Sequence, residues 1–335
     1  MESRAERQVQ IFNYFIPMQQ FDRETILNAL AYNEFIPAIR KAYSGKEDDY
    51  NVPARSFLKF GNGVSSTDST LLIMPAWRDG HWLGIKQVTL SPHNGEAGRP
   101  TLQGVYTLFN AETGTPVALF NAAAITARRT AAKSAVAADL LSRKDSESLL
   151  MVGTGSLSGE LIQAHSAVRP LRKIRIWEHT PGNGDKLIDR LPKLEADVEV
   201  ISDLESAVKS SDIVSVATMS TEPLIFGEWL QEGQHLDMVG AYRTDMREGD
   251  DEALTRSSLF IDHHDAWHET GDLAIPVQKG VITENDASAT LFELCRGAKE
   301  GRKSDREITY FKSTGHALED LTAALFVYNK LHSTT

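Results

Sequence analysis

Gly153-Thr154-Gly155-Ser156-Leu157-Ser158 follows an apolar run, residues 149–152, and leads into a helical pattern. A strand, a tight glycine turn and a helix N-terminus in that order can hold a pyrophosphate. Unpaired N–H groups and the positive end of the helix dipole converge there. Gly153 permits the turn, and Gly155 lets the backbone approach the phosphates. Ser158, small in place of a third glycine, keeps helix and strand close. Glu178 closes the next apolar run 23 residues after Gly155, where an acid meets the adenosine ribose.

A second set of candidates is cationic. Arg55 follows Val52-Pro53-Ala54 just ahead of a strand pattern, and Lys86 interrupts the apolar stretch from Trp82 to Val88. Arg128 and Arg129 open an Ala-rich helix expected over 126–141, where the dipole disfavours positive charge. Cations in such settings need an anion. A substrate carboxylate would serve, since Arg binds carboxylates bidentately. Surface solvation or internal pairing with Asp and Glu is the competing reading. Tyr242-Arg243-Thr244-Asp245 follows the run 236–239, at a strand's carboxyl end, where open sheets place ligands. Asp245 and Arg247-Glu248 read equally well as helix-capping and surface charges. His263-His264-Asp265-Ala266-Trp267-His268 matches no zinc spacing, so it is read as a loop, and no metal is expected.

The elements that must carry these residues fall into two patterns. Apolar runs at 149–152, 173–177, 198–201, 213–217, 236–239 and 259–261 alternate with helix-like segments. They are rich in Val and Ile and lack polar alternation, as strands buried on both faces do. The expected fold is therefore α/β, a Rossmann-type doubly wound parallel sheet. Residues 1–130 read differently. A helix is expected over 23–43, then hairpins about Asp79-Gly80 and Glu112-Thr113-Gly114, giving an antiparallel or mixed sheet. A helix from 313 onward carries Leu318, Leu321, Leu325 and Tyr328 near one face and is expected to return to the first domain. The chain then has a discontinuous α+β substrate and dimerisation domain, 1–130 plus 313–335. The dinucleotide-binding domain, 131–312, is inserted in it.

Composition narrows the partners. The 335 residues suffice for two cores. A net charge of −11 argues against nucleic acid or an anionic membrane as partner, and no apolar run reaches spanning length. The first residues lack a signal peptide's apolar core. Cys295 is the single cysteine, so a reducing cytoplasm is the default expectation.

Several segments carry a resemblance that runs nearly the whole chain. They are Pro53-Ala54-Arg55, Met74-Pro75-Ala76, Gly84-Ile85-Lys86, Glu112-Thr113-Gly114-Thr115-Pro116 and Ile125-Thr126-Ala127-Arg128-Arg129-Thr130-Ala131-Ala132. Val152-Gly153-Thr154-Gly155, Val239-Gly240-Ala241, Glu269-Thr270-Gly271-Asp272-Leu273 and the stretch from Gly315 to Leu321 continue it. Together they resemble the ornithine cyclodeaminase / mu-crystallin family. The resemblance implies a homodimer joined through the N-terminal domains. It also implies that Arg55, Lys86 and Arg129 bind a substrate carboxylate beside the nicotinamide. Cyclodeaminases resemble Val-Gly-Gly-Asp where this chain reads Val239-Gly240-Ala241-Tyr242, so Tyr242 occupies the catalytic aspartate position. Without that carboxylate, amine or water activation is undercut. The segment from Ala241 to Glu248 instead resembles the ketimine-reductase branch.

The expected function is NAD(P)H-dependent reduction of a cyclic imino acid, Δ1-pyrroline-2-carboxylate or Δ1-piperideine-2-carboxylate, to proline or pipecolate. Lys86 and Arg129 are the expected catalytic residues, with Arg55 binding substrate. Expected cofactor contacts are Thr130, Gly153, Thr154, Gly155, Ser156, Leu157, Glu178, His179, Thr180, Ala217, Thr218 and Gly240. Trp177-Glu178-His179-Thr180 resembles the Trp-Asn-Arg-Thr of NADPH-using members, although Glu178 would repel a 2′-phosphate; NADPH is slightly favoured over NADH. The alternatives are a cyclodeaminase, an alanine dehydrogenase, or a non-catalytic crystallin-like binding protein.

Overall fold

A computed structural model describes residues 18–61, 69–95 and 97–333. Two compact units are formed: one by residues up to 31, 48–126 and from 320 onward, the other by 32–47 and 127–319.

The first unit is built on a mixed six-stranded sheet ordered β1-β6-β5-β4-β3-β2. Its strands are β1 (Gln19–Phe21), β2 (Ser56–Phe60), β3 (Ser69–Arg78), β4 (Trp82–Leu90), β5 (Leu102–Asn110) and β6 (Pro116–Asn121). Neighbours from β2 to β6 run antiparallel, and β1 pairs parallel with β6. The two expected turns form, with Gly80 and Gly114 at φ +70° and +71°, a conformation that side chains disfavour. Helix α1 (Arg23–Ala29) is capped by Asp22, whose carboxylate accepts from the Thr25 N–H at 2.9 Å.

The single helix expected over 23–43 is broken. Leu30 leaves the helical region at φ −92°, ψ 51°, and α2 (Tyr32–Tyr43) starts afresh. The periodicity continues across the break, but the burial divides. Ile26 and Leu30 are buried in the first unit, and Phe35, Ile36 and Ile39 in the second.

The second unit holds an eight-stranded sheet, ordered β13-β12-β14-β11-β10-β7-β8-β9, with every pairing parallel. The six expected strands are β7 (Ser148–Val152), β8 (Lys173–Trp177), β9 (Asp197–Ile201), β10 (Ile213–Val216), β11 (His235–Met238) and β12 (Ser258–Ile261). Order β9-β8-β7-β10-β11 is the 3-2-1-4-5 succession of a doubly wound fold, with its switch point between β7 and β10. Two strands were not legible in sequence: β13 (Ala287–Thr290) and β14 (Thr309–Lys312). The first is small and polar, and the second ends in a threonine and a lysine, so neither offers an apolar run.

Helix α3 spans Ala122–Leu141 and α4 spans Ser158–Ser166; α5 (Asn183–Ile188) and α6 (Leu204–Lys209) follow. Further on are α7 (Asp251–Thr255), α8 (Ala266–Glu269), α9 (Gly271–Gln278), α10 (Leu291–Cys295) and α11 (Ala317–His332). The core beneath the sheet gathers Leu150, Val214, Leu236, Leu254, Leu259 and Leu273, all buried. It also encloses charge. The Asp237 carboxylate, fully buried in β11, accepts from Ser134 Oγ at 2.9 Å and Ser215 Oγ at 2.8 Å and meets His165 Nε2 at 3.0 Å. Those partners satisfy an acid that burial would otherwise penalise.

Two sequence readings need correction here. Helix α3 begins at Ala122, because Asn121 Oδ1 accepts the Ala124 N–H at 2.9 Å. Arg128 and Arg129 therefore lie beyond the first turn, where the dipole no longer acts appreciably. Helix α11 begins at Ala317 and not at 313, since Ser313 to His316 form a loop in which Gly315 takes φ +90°.

Candidate functional site

In the second unit the candidate dinucleotide residues gather at strand carboxyl ends. Gly153 to Leu157 follow β7, Glu178 to Thr180 follow β8, Ala217 and Thr218 follow β10, and Gly240 follows β11. Gly153 takes φ +109°, and a Cβ there would stand 2.7 Å from the Ala217 carbonyl oxygen, so the turn after β7 presses on the loop after β10. Gly155 is different: a Cβ there would meet nothing within 4 Å. Ser158 Oγ, at the start of α4, is buried without a hydrogen-bond partner among the described residues. An open face at Gly155, an orphaned hydroxyl and a helix N-terminus suit a pyrophosphate.

Glu178 is half-buried at the end of β8, while His179 and Thr180 are exposed. Its carboxylate accepts from the Gly182 N–H at 2.9 Å and from the Gly184 N–H. Those N–H bonds, from Gly184 first and then Gly182, hold the carboxyl below its usual range. Glu178 therefore stays an anion at the place where an adenosine ribose would lie.

Lys86, Arg128 and Arg129 each meet a protein carboxylate. In the first unit Lys86, in β4, is 2% exposed and donates from Nζ to Asp320 Oδ2 at 2.7 Å. Asp320 is wholly buried. Tyr106, on β5 opposite Lys86, is buried with its hydroxyl orphaned. Burial, and then Asp320, hold that phenol in its protonated form. Arg55 is half-buried directly before β2. Ser56 pairs with Ile73, and the next residue, Met74, pairs with Lys86, so Arg55 and Lys86 stand at one level of the sheet, two strands apart.

In the second unit Arg129 is 6% exposed and donates from Nη1 to Glu319 Oε2 at 2.6 Å. Thr130, next to it on α3, is buried as well. Glu319 Oε1 also accepts from Tyr43 OH at 2.5 Å and from the His316 N–H at 3.0 Å, and lies 3.1 Å from Lys133 Nζ. Burial alone would raise the Glu319 carboxyl; Lys133 and Arg129 outweigh it and bring it down to about 2. Lys133 donates to Asp262 at 2.7 Å, and Asp262 accepts the Thr314 and Gly315 N–H groups. His316 is forced neutral, with burial and then His263 lowering its pKa to about 3. Arg128 points elsewhere. It pairs with Glu160 at 2.9 Å and lies 4.5 Å over the Tyr32 ring.

Sequence reasoning singled out the cations but not their carboxylates. Glu319 and Asp320 stand between Leu318 and Leu321 in an otherwise apolar helix start, and that signal could have found them. Lys133, among alanines in α3, carries the same signal. The expectation of surface charges fails at Arg247 and Glu248, which are buried, whereas Asp245 is exposed and pairs with Arg243. Tyr242 is partly buried, and burial raises its phenol pKa. His263 faces Gly315 and Thr314, and no group of three His, Cys, Asp or Glu among the described residues could hold a metal. No helix among the described residues is long and apolar enough to cross a membrane.

The family model for the ornithine cyclodeaminase/mu-crystallin family matches residues 22–335. A Δ1-pyrroline-2-carboxylate reductase of Paracoccus denitrificans is 37% identical over 260 residues, 77% of this chain and 82% of its own. A Δ1-pyrroline-2-carboxylate reductase of Thermococcus litoralis, solved with NADH and L-proline, superposes with a TM-score of 0.89 at 33% identity, covering 95% of this chain and 98% of that one. An archaeal alanine dehydrogenase dimer with bound NAD gives a TM-score of 0.85 at 29% identity, covering 95% and 97%.

Proposed function

Since the chain belongs to the ornithine cyclodeaminase/mu-crystallin family, we propose that it is an NAD(P)H-dependent reductase converting Δ1-pyrroline-2-carboxylate or Δ1-piperideine-2-carboxylate to proline or pipecolate. The observation that supports the reading is the likeness, over most of the chain, to Δ1-pyrroline-2-carboxylate reductases, one of them solved with NADH and L-proline. Lys86 and Arg129 meet the competing expectation of internal pairing, with Asp320 and Glu319. A substrate carboxylate would have to join those pairs, and a buried ion pair is by itself weak evidence of a stabilising role.

The dinucleotide would be held by Thr130, Gly153 to Leu157, Glu178 to Thr180, Ala217, Thr218 and Gly240. When bound, it supplies the hydride for the C=N carbon. Arg129, Lys86 and Arg55 bind the substrate carboxylate and orient the adjacent carbon, which contributes mainly by removing orientational entropy. The imine nitrogen must carry a proton, for which Lys86, a water or an already protonated iminium would each serve. Tyr242 in place of an aspartate supports reduction over cyclodeamination.

The bound state of Glu178 favours a free ribose hydroxyl, and we read NADH as at least as good a donor as NADPH. A homodimer through the N-terminal domain, 1–130 plus 313–335, is supported by β2. This edge strand exposes Phe57, Leu58 and Phe60, a liability for an unpaired edge. The inserted domain is read as 131–312, and the single cysteine suits the cytoplasm.

The test is NADH and NADPH oxidation with a panel of cyclic imino acids, beside ornithine with NAD and pyruvate with ammonia. Imine reduction should dominate. Ammonia release from ornithine at a comparable rate would return the protein to the cyclodeaminases, and an ammonia-dependent rate with pyruvate to the alanine dehydrogenases.

A further inference from the structure

Glu248 belongs to no helix or strand, yet its side chain is wholly buried and joins two loops. Its Oε1 accepts from the Thr218 N–H at 2.7 Å and from Thr218 Oγ1 at 2.8 Å, after β10. Oε2 accepts from the Gly240 N–H at 2.7 Å and the Ala241 N–H at 2.9 Å, after β11. The loops are in backbone contact, since a Cβ on Gly240 would stand 2.1 Å from the Thr218 carbonyl oxygen and 2.4 Å from Glu248 Oε1. The clamp is itself held. Asp272 Oδ1 accepts the Glu248 N–H at 2.7 Å, Lys312 Nζ donates to Asp272 Oδ2 at 2.8 Å, and the same ammonium lies 3.9 Å from Glu248 Oε2. A fully buried Glu, Asp and Lys is an expensive way to close a loop. Nothing in the substrate chemistry above uses them.

We propose that Glu248 is a positioning residue for the dinucleotide, a buried carboxylate that locks the loops at Thr218 and Gly240 in the form that receives it. The inference rests on the reading of Thr218 and Gly240 as cofactor contacts. A carboxylate suits the task because it only accepts, and here every facing group donates. By committing the Thr218, Gly240 and Ala241 N–H groups inward, it fixes the loop face left for the ligand.

Glu248→Gln keeps the shape but places an NH2 against N–H donors. Its NADH dissociation constant, read from nicotinamide fluorescence, should rise at least about tenfold, while kcat at saturating NADH stays within about threefold. A purely structural residue would instead lower the melting temperature and kcat with the dissociation constant unmoved, and that result overturns the proposal. Gly155→Val, titrated in parallel, separates the two readings. Weak binding by Gly155→Val with normal binding by Glu248→Gln sinks the clamp alone, and normal binding by both sinks the dinucleotide reading with it. Should Glu248→Gln fail to fold, Thr218→Val removes one of the four bonds. It should raise the dissociation constant about threefold, and an unchanged value overturns the proposal.

Discussion

The glycine turn after β7 and the cations of β4 and α3 offer an anion two opposite receptions. The turn is made mainly of backbone: its candidate donors are N–H groups, Gly153 is needed for its positive φ, and Gly155 leaves the open face. The cations are side chains that cannot stand alone. Lys86 needs Asp320 and Arg129 needs Glu319, because an unpaired buried charge would cost several kcal/mol. The backbone site should therefore fail by being filled, and the cation site by losing charge or fork geometry.

The largest effect expected is at Arg129. Arg129→Met should cost on the order of 3 kcal/mol of transition-state stabilisation, roughly two orders of magnitude in kcat/KM. Arg129→Lys should also be harmful, since it keeps the charge but loses the planar fork. NADH affinity should move by less than about twofold in either. Because Glu319 keeps Tyr43 and Lys133 as partners, a folded Met variant is expected, and its melting curve should be recorded beside its kinetics. A kcat/KM within about twofold of wild type would make Arg129 a structural residue.

Gly155→Val sharpens the other half. The new side chain meets no protein atom within 4 Å at its Cβ, so stability should hold while cofactor affinity falls at least about tenfold. Gly153→Ala should do the reverse first, losing stability through its φ of +109° and the Ala217 carbonyl. Equal melting temperatures for the two variants would contradict the distinction.

Glu178→Ser is expected to shift the kcat/KM ratio several-fold toward NADPH, by removing an anion from the ribose position. An unchanged ratio would mean that Glu178 serves only the Gly182 and Gly184 N–H groups.

Acid stability tests the buried histidines. Burial first, and for His316 also His263, brings His235 and His316 from 6.5 to about 3. A depressed pKa contributes stability that is present above 6.5 and lost as pH falls toward 3. Between 6.5 and 4.5 the two histidines together lose at most about 2.8 kcal/mol per pH unit. Urea unfolding between pH 7 and 5 measures it, and stability that climbs on acidification would contradict the assignment.

The sequence carries most of the doubly wound sheet because its signals are local. Six apolar runs became six strands, and Gly153 and Gly155 are separated by one residue. Strands β13 and β14 escaped because parallel pairing needs no apolar run: Thr309–Lys312 fills the place between β11 and β12, and Ala287–Thr290 adds at the edge of β12. Arg129 does not stand in the first turn of its helix, because Asn121 extends α3 toward its N-terminus.

By itself, then, the sequence determined the strand-turn-helix chemistry, the acid after β8 and the unusual placement of Lys86 and Arg129. All depend on residues close in the chain. Tertiary structure alone decided the carboxylates. Asp320 lies 234 residues from Lys86 and Glu319 lies 190 from Arg129. Charge in an otherwise apolar helix start marks Glu319 and Asp320 as unusual, but nothing local says which distant cation each will meet. Desolvation makes that choice, and it exists only once the chain has closed around the charge.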